Sequence, residues 1–238
     1  VPENIGELSV KLSDRHFGAG SDGMIYISPS ERADFKMRIF NADGSEAKMC
    51  GNGIRCVGKY VFDKGYTDRT HLRIETLSGL RELDLQIAGG KVKSVIVGMG
   101  KAAVGDDIAF RAGDADIVCT PVSVGNPHAV IFADDVEEIP LTVLGPQIEH
   151  HENFPGGVNV EFVQVLSEKE LRMRVWERGS GETWACGTGA TASAMAAILR
   201  GFTDDEVRVS LRGGDLLIHF DRESRHLFMT GPAKEVFQ

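Results

Sequence analysis

No apolar run in this chain approaches the ~20 residues that a membrane-spanning helix needs. Basic residues gather into no stripe, and 26 of them against 35 acidic ones leave a net charge of −9. Such a balance argues against a nucleic-acid surface. The opening residues, VPENIGELSV, carry neither a basic n-region nor an apolar h-region, so the cytoplasm is the expected compartment. There is no C-x-x-C pair, and no His stands at metal-ligand spacing from a cysteine, so no metal site is expected. What remains is a hydrophobic content of 42%, enough to bury a core as one large domain or two lobes.

The four cysteines are Cys50, Cys56, Cys119 and Cys186. In a reducing compartment they stay free thiols. Cys56 and Cys119 read as small buried hydrophobes. Cys50 and Cys186 read differently, because each opens a C-G-x-G turn.

Those two cysteines lie 136 residues apart, and that offset aligns residues 36–68 with 172–204. Nine of the 33 pairs are identical, among them Arg38/Arg174, Glu46/Glu182, Cys50/Cys186, Gly53/Gly189 and Gly65/Gly201. With a one-residue shift the match extends upstream, FGAGSDGMIYI against FPGGVNVEFVQ. Each copy reads as an alternating strand (KMRIF, RMRVW), a polar turn, C-G-x-G, and a helix stopped by Gly65 or Gly201. The second helix, ATASAMAAILR, has small residues all round, which suggests tight packing on several sides. Strands resume afterwards in both copies. The expected fold is α+β: two pseudo-symmetric lobes, each a curved, mostly antiparallel sheet around a central helix. The division falls at 1–113 and 114–238, with the last strand able to return to the first lobe. The segment 122–132 has no counterpart ahead of Cys50, so the first lobe is expected to lack its opening strand.

A cysteine at a helix start meets the positive end of the macrodipole and free backbone N–H groups, which favour the thiolate. The following glycines let a ligand approach the backbone, and the N–H groups suit a carboxylate. Two such turns, related by an internal repeat, could present a thiol to each face of one carbon. Inverting an amino-acid stereocentre needs that arrangement: one thiolate removes the α-proton and the opposite thiol returns one. Pyridoxal phosphate is the usual alternative, but no Schiff-base lysine or phosphate cup is apparent, so no cofactor is expected. Three other readings stay open at this point. They are a structural disulfide, a cysteine hydrolase with His128 as partner, and a non-catalytic binding module.

The motifs MCGNGIRC and ERGSGETWACGTGA, with NADGSE, VGNPHAVIF, LGPQIEHHENFPGGVNVEF and MTGPA, resemble the diaminopimelate epimerase family over essentially the whole chain. Proline racemases, a related alternative, typically carry C-G-H-G where this chain has Asn52. The resemblance implies interconversion of LL- and meso-diaminopimelate, toward lysine and peptidoglycan, by a homodimer. It implies Cys50 and Cys186 as the acid/base pair. It makes Gly51–Asn52 and Gly187–Thr188 the α-carboxylate cradle. Asn41, Asn126, Asn159, Glu177 and Arg178 become substrate contacts, with His128 near the reacting centre. The family's opening K-M-H-G-x-G-N-D-F has no counterpart here, and Gly23 stands where the family often has Gln.

Overall fold

The computed structural model describes residues 4–47 and 49–236. The chain divides into two compact units, Val1–Val97 with Pro232–Gln238, and Gly98–Gly231.

In the first unit, helix α1 (Ile5–Ser13) precedes strands β1 (Gly23–Ser28), β2 (Phe35–Asn41) and the short β3 (Glu46–Ala47). Helix α2 (Gly51–Asp63) follows, then β4 (His71–Thr76), β5 (Gly79–Ala88) and β6 (Lys91–Gly100). The sheet order is β1-β2-β4-β5-β6, antiparallel except where β2 and β4 run parallel. A parallel pair needs a crossover, and α2 supplies it. The helix buries Ile54, Val57 and Val61, each contributing about 1.5–3 kcal/mol. Gly58 lets it sit close to the sheet: a Cβ there would meet Leu85 at 2.9 Å and Leu83 at 3.1 Å. Cys56 falls off this apolar stripe and is exposed, contrary to the expectation of a buried hydrophobe. Cys119, in the second unit, is fully buried as expected.

The second unit holds β7 (Ala103–Val104), β8 (Ile108–Ala112), β9 (Ala115–Ser123) and β10 (Pro127–Phe132). Then come α3 (Leu141–Glu149), β11 (Asn159–Ser167), β12 (Glu170–Glu177) and β13 (Gly181–Thr183). Helix α4 (Gly187–Leu199) leads to β14 (Glu206–Leu211), β15 (Gly214–Asp221) and β16 (His226–Pro232). The order is β16-β15-β14-β12-β11-β10-β9-β7, with β12/β14 and β10/β11 parallel. Helix α4 packs against strands β9 to β12, β14 and β15 and is buried from Ala190 to Ile198. Its alanines make that possible, since no larger side chain would fit on every side of one helix. Each unit is thus a mostly antiparallel sheet about a central helix, the α+β architecture expected.

The repeat is reproduced to the residue. Adding 136 to Gly51–Asp63 gives Gly187–Leu199, the bounds of the second helix. Both helices close in the same motif, with Gly65 (φ 76°) and Gly201 (φ 70°) in the left-handed region. Tyr66 and Phe202 then donate to Val61 O and Ala197 O. Upstream, the structure corrects the one-residue shift. Ile25 pairs with Ile39, and Glu161 pairs with Val175, which is the repeat partner of Ile39. Ile25 and Glu161 are therefore equivalent at the unshifted offset. The likeness of FGAG to FPGG belongs to loops only: Phe17 is exposed, whereas Phe154 packs on a buried cluster.

Among the described residues no helix is long and apolar enough to cross a membrane.

Candidate active site

Cys50 and Cys186 are the N-caps of α2 and α4, with extended backbones (φ −140°, ψ 112° and φ −127°, ψ 111°). That conformation turns each side chain back over the first helical turn. Cys50 Sγ accepts a hydrogen bond from Gly53 N at 3.3 Å, and Cys186 Sγ accepts one from Gly189 N at 3.4 Å. The last residue of each C-G-x-G turn must be small. A Cβ on Gly53 would lie 2.8 Å from Ile25 Cδ1, and one on Gly189 would lie 2.7 Å from Glu161 Oε1.

The environment of Cys186 overrides part of the helix-terminus expectation. Burial first, then the neighbouring Glu177 and Glu161 carboxyl groups, push its thiol well above the usual range; Thr188 and Gly189 N–H oppose this only partly. The protonated thiol is thereby favoured at Cys186. Desolvation in a fully enclosed site outweighs the partial charge of one helix end. Around Cys50 the company differs. Arg55 is buried and donates through Nη1 to Gly51 O at 3.2 Å and through Nε to Pro232 O at 3.1 Å; burial pulls its guanidinium below the usual range.

The second unit brings several expected residues together. Thr188 Oγ1 lies 3.5 Å from Cys186 Sγ, and Asn126 Nδ2 donates to Thr188 Oγ1 at 3.3 Å. Asn126 Oδ1 faces His128 Nε2 at 3.0 Å, and His128 Nδ1 lies 2.6 Å from Glu161 Oε1. The side chains of His128 and Glu161 have no exposed surface. Burial pushes the Glu161 carboxyl upward, with His128 opposing and Glu177 adding to the rise. Glu177, whose charge reaches Cys186, accepts a short hydrogen bond from Thr183 Oγ1.

Asn159 and Arg178 form a second group. Asn159 Nδ2 donates to Pro127 O and its Oδ1 accepts from Arg178 N, both at 2.9 Å, so its amide ties β10 to the end of β12. The Arg178 guanidinium donates to Gly156 O at 3.0 Å. Asn41, at the end of β2, donates to Ser45 Oγ at 2.9 Å within its own turn. It occupies the repeat position of Glu177, just as Gly51 and Asn52 occupy those of Gly187 and Thr188.

Two polar residues beside the cysteines were not anticipated. Arg55 is a cation on the buried face of an otherwise apolar helix stripe. Glu161 is the one charge in the strand sequence NVEFV, four residues of which are apolar or amide. A buried charge inside an apolar pattern was the signal in both cases. Among the described residues no group of three or more His, Cys, Asp or Glu side chains could hold a metal ion.

Known proteins supply the context for this geometry. The description of the diaminopimelate epimerase family matches residues 1–104 and 120–236. A diaminopimelate epimerase from Acetivibrio thermocellus is 51% identical, covering 99% of this chain and 89% of its own. One from Agathobacter rectalis is 52% identical, covering 97% and 88%. Solved structures with the same fold include a hydroxyproline epimerase from Agrobacterium vitis, with TM-score 0.73, 19% identity, and coverage of 95% of this chain and 76% of that one. Another is a probable proline racemase from Agrobacterium radiobacter, with TM-score 0.75, 17% identity, and coverage of 98% and 81%. With the family matched over nearly the whole chain and relatives about half identical over almost all of it, this chain belongs to the diaminopimelate epimerase family.

Proposed function

We propose that the chain interconverts LL- and meso-diaminopimelate by a two-base reaction in which Cys50 and Cys186 serve opposite faces of the α-carbon. The observation that carries this reading is the duplicated cap. Each sulfur sits at a helix N-terminus, in contact with the N–H of the second glycine of its own C-G-x-G turn. In one direction a thiolate takes the α-proton, the electron pair passes to the carboxylate-stabilised carbanion, and the other thiol delivers its proton. The reaction needs one sulfur with a proton and one without, and burial favours the protonated form at Cys186. The N–H groups of the two helix starts stabilise the negative charge that develops on the α-carboxylate.

The far end of diaminopimelate must be held without being inverted. Arg178 offers a planar fork for its carboxylate. Asn159 keeps one N–H and one lone pair beyond those it spends on the backbone, and Glu177, Asn41 and Asn126 suit ammonium and carboxylate atoms. Cytoplasmic location, a homodimer, and supply of lysine and peptidoglycan precursors follow from the family reading.

Incubation with LL-diaminopimelate in deuterated water tests the proposal. Deuterium should enter one α-position as configuration changes. A binding module would leave both hydrogens in place, and a hydrolase would release a fragment instead.

A further inference from the structure

Ile25 and Glu161 hold the same position in the two copies of the repeat, each against the second glycine of its cysteine turn. One copy fills the position with an alkyl chain and the other with a carboxyl group that has no exposed surface. Burying that group is costly unless it is bonded, so its bonds are informative.

They form a path. Glu161 Oε1 lies 2.6 Å from His128 Nδ1, and His128 Nε2 lies 3.0 Å from Asn126 Oδ1. Asn126 Nδ2 donates to Thr188 Oγ1 at 3.3 Å, and Thr188 Oγ1 lies 3.5 Å from Cys186 Sγ. Donor and acceptor chemistry fixes its direction. The Asn126 oxygen can only accept, so His128 Nε2 carries a hydrogen. The Thr188 oxygen accepts from Asn126, so its own hydrogen is free for the sulfur. Glu161 Oε2 is buried without a hydrogen-bond partner among the described residues. A bare oxygen in the core is far cheaper on a neutral acid than on a carboxylate. The acid hydrogen therefore lies on Oε1 and points at His128 Nδ1. Burial first, then the neighbouring Glu177, act in the same sense on Glu161, and a proton on His128 would act against them.

We propose that Glu161 is a positioning residue for Cys186: it sets the direction of a hydrogen-bond chain through His128, Asn126 and Thr188 that ends with a donor on the sulfur. Its consequence for turnover rests on the epimerase reading; its geometry does not. A thiolate at Cys186 then meets two donors, the Thr188 hydroxyl and Gly189 N–H. The first copy has Asn52 and Ile25 at the positions of Thr188 and Glu161, so it cannot build the same chain. The two half-sites of a symmetric-looking repeat are chemically unequal.

Two variants separate positioning from bulk structure. Glu161→Ile installs the side chain that the equivalent position already accommodates. Glu161→Gln offers an amide N–H to His128 Nδ1 in place of the acid O–H. The probe is a pair of α-epimers of a β-fluoro diaminopimelate. A base takes the α-proton, a Cα=Cβ bond forms, and fluoride leaves with the C–F pair, so only the base facing that hydrogen is needed. Glu161→Ile should slow fluoride release about tenfold or more, the loss expected for a hydrogen bond to a charged group. The loss should fall on the epimer that Cys186→Ser also cripples and spare the other, and Glu161→Gln should recover most of the rate. Equal losses on both epimers, or no loss on either, would overturn the proposal. Independently of activity, proton NMR of the wild type should show a solvent-protected, far-downfield signal from the Glu161–His128 bond that is absent in Glu161→Ile. Its absence from the wild type, or its survival in that variant, would also overturn it. If the wild type releases no fluoride and takes up no deuterium, the epimerase reading fails, while the NMR result still decides the chain.

Discussion

Arg174 Nε lies 3.0 Å from Glu182 Oε1, in a pair whose side chains are only 8% and 17% exposed. Arg38 and Glu46, at the equivalent positions, make the same contact at 2.7 Å but with 31% and 26% of their side chains exposed. Both pairs tie a strand to the short strand that leads into a cysteine turn.

The two copies should differ in what that tie contributes. Arg174 also donates to Val136 O and Ile139 O, so its removal strands two carbonyls and leaves Glu182 with Arg212 alone. Arg174→Met should cost about 3 kcal/mol, the scale of a broken buried pair. Arg38→Met should cost about 1 kcal/mol or less, as more exposed pairs do. Urea denaturation of the two variants checks this, and equal costs would show that burial is not what distinguishes them.

The cysteine-turn glycines should be unequal too. A Cβ on Gly53 meets the flexible tip of Ile25 at 2.8 Å and Met37 Cε at 3.2 Å. A Cβ on Gly189 meets Glu161 at 2.7 Å and Cys186 Sγ at 3.3 Å, and Glu161 is held in place by His128. Gly189→Ala is expected to lose about 1–3 kcal/mol to overpacking and most of the activity. Gly53→Ala should be milder on both measures, as thermal melts and deuterium exchange would show.

Stability should fall at both ends of the pH range, for opposite reasons, and Glu161, raised by burial, adds a decline as pH climbs past its ordinary 4.5. Ser30 and Arg32 hold the Glu75 carboxyl down at about 2, against an ordinary 4.5. Its contribution is therefore present above the ordinary value and lost as pH falls toward about 2. Burial raises Cys186 well above its ordinary 9.0, and burial with Asp107 raises Cys119 to about 11. Groups raised on folding contribute fully below their unfolded values and lose that contribution as pH climbs past them. Glu75→Gln should flatten the acid fall, and Cys186→Ser the alkaline one, in denaturation series across pH.

Serine in place of either cysteine keeps the shape but raises the pKa far above that of a thiol. Cys50→Ser and Cys186→Ser should each lose about 10²–10⁴ in epimerisation rate. The loss in kcat/KM must be equal in the two directions, because the equilibrium between the isomers is fixed by their chemistry. Near wild-type turnover by either variant would remove the two-cysteine reaction from consideration.

Much of this was written in the residues. The 136-residue offset predicted both central helices and the strands flanking them, because glycine at a turn or helix stop and cysteine at a cap are fixed by backbone needs. Helices α1 and α3 left no such mark. Each has nine residues, α3 carries Pro146 inside it, and neither falls in the aligned segments. The role of Glu161 was hidden by the one-residue shift, which aligned loops rather than strands. Ladder register, not loop similarity, decides which side chains share a position. The state of Cys186 was misjudged for a different reason: a motif shows the helix end, while desolvation depends on neighbours drawn from the whole unit.

The unequal wrapping of the two central helices has a consequence for how the chain breathes. Along α2, Cys56 and Tyr60 are exposed, whereas α4 is enclosed from Ala190 to Ile198. Backbone amides on the open side of α2 can trade hydrogen with solvent through fraying of a single turn. Those of α4 have no such route, and release requires strands on several sides to part together. The slowest-exchanging amides of the second unit should therefore lie in its alanine-rich helix, and the cysteine that caps it is anchored to the last part of that unit to open.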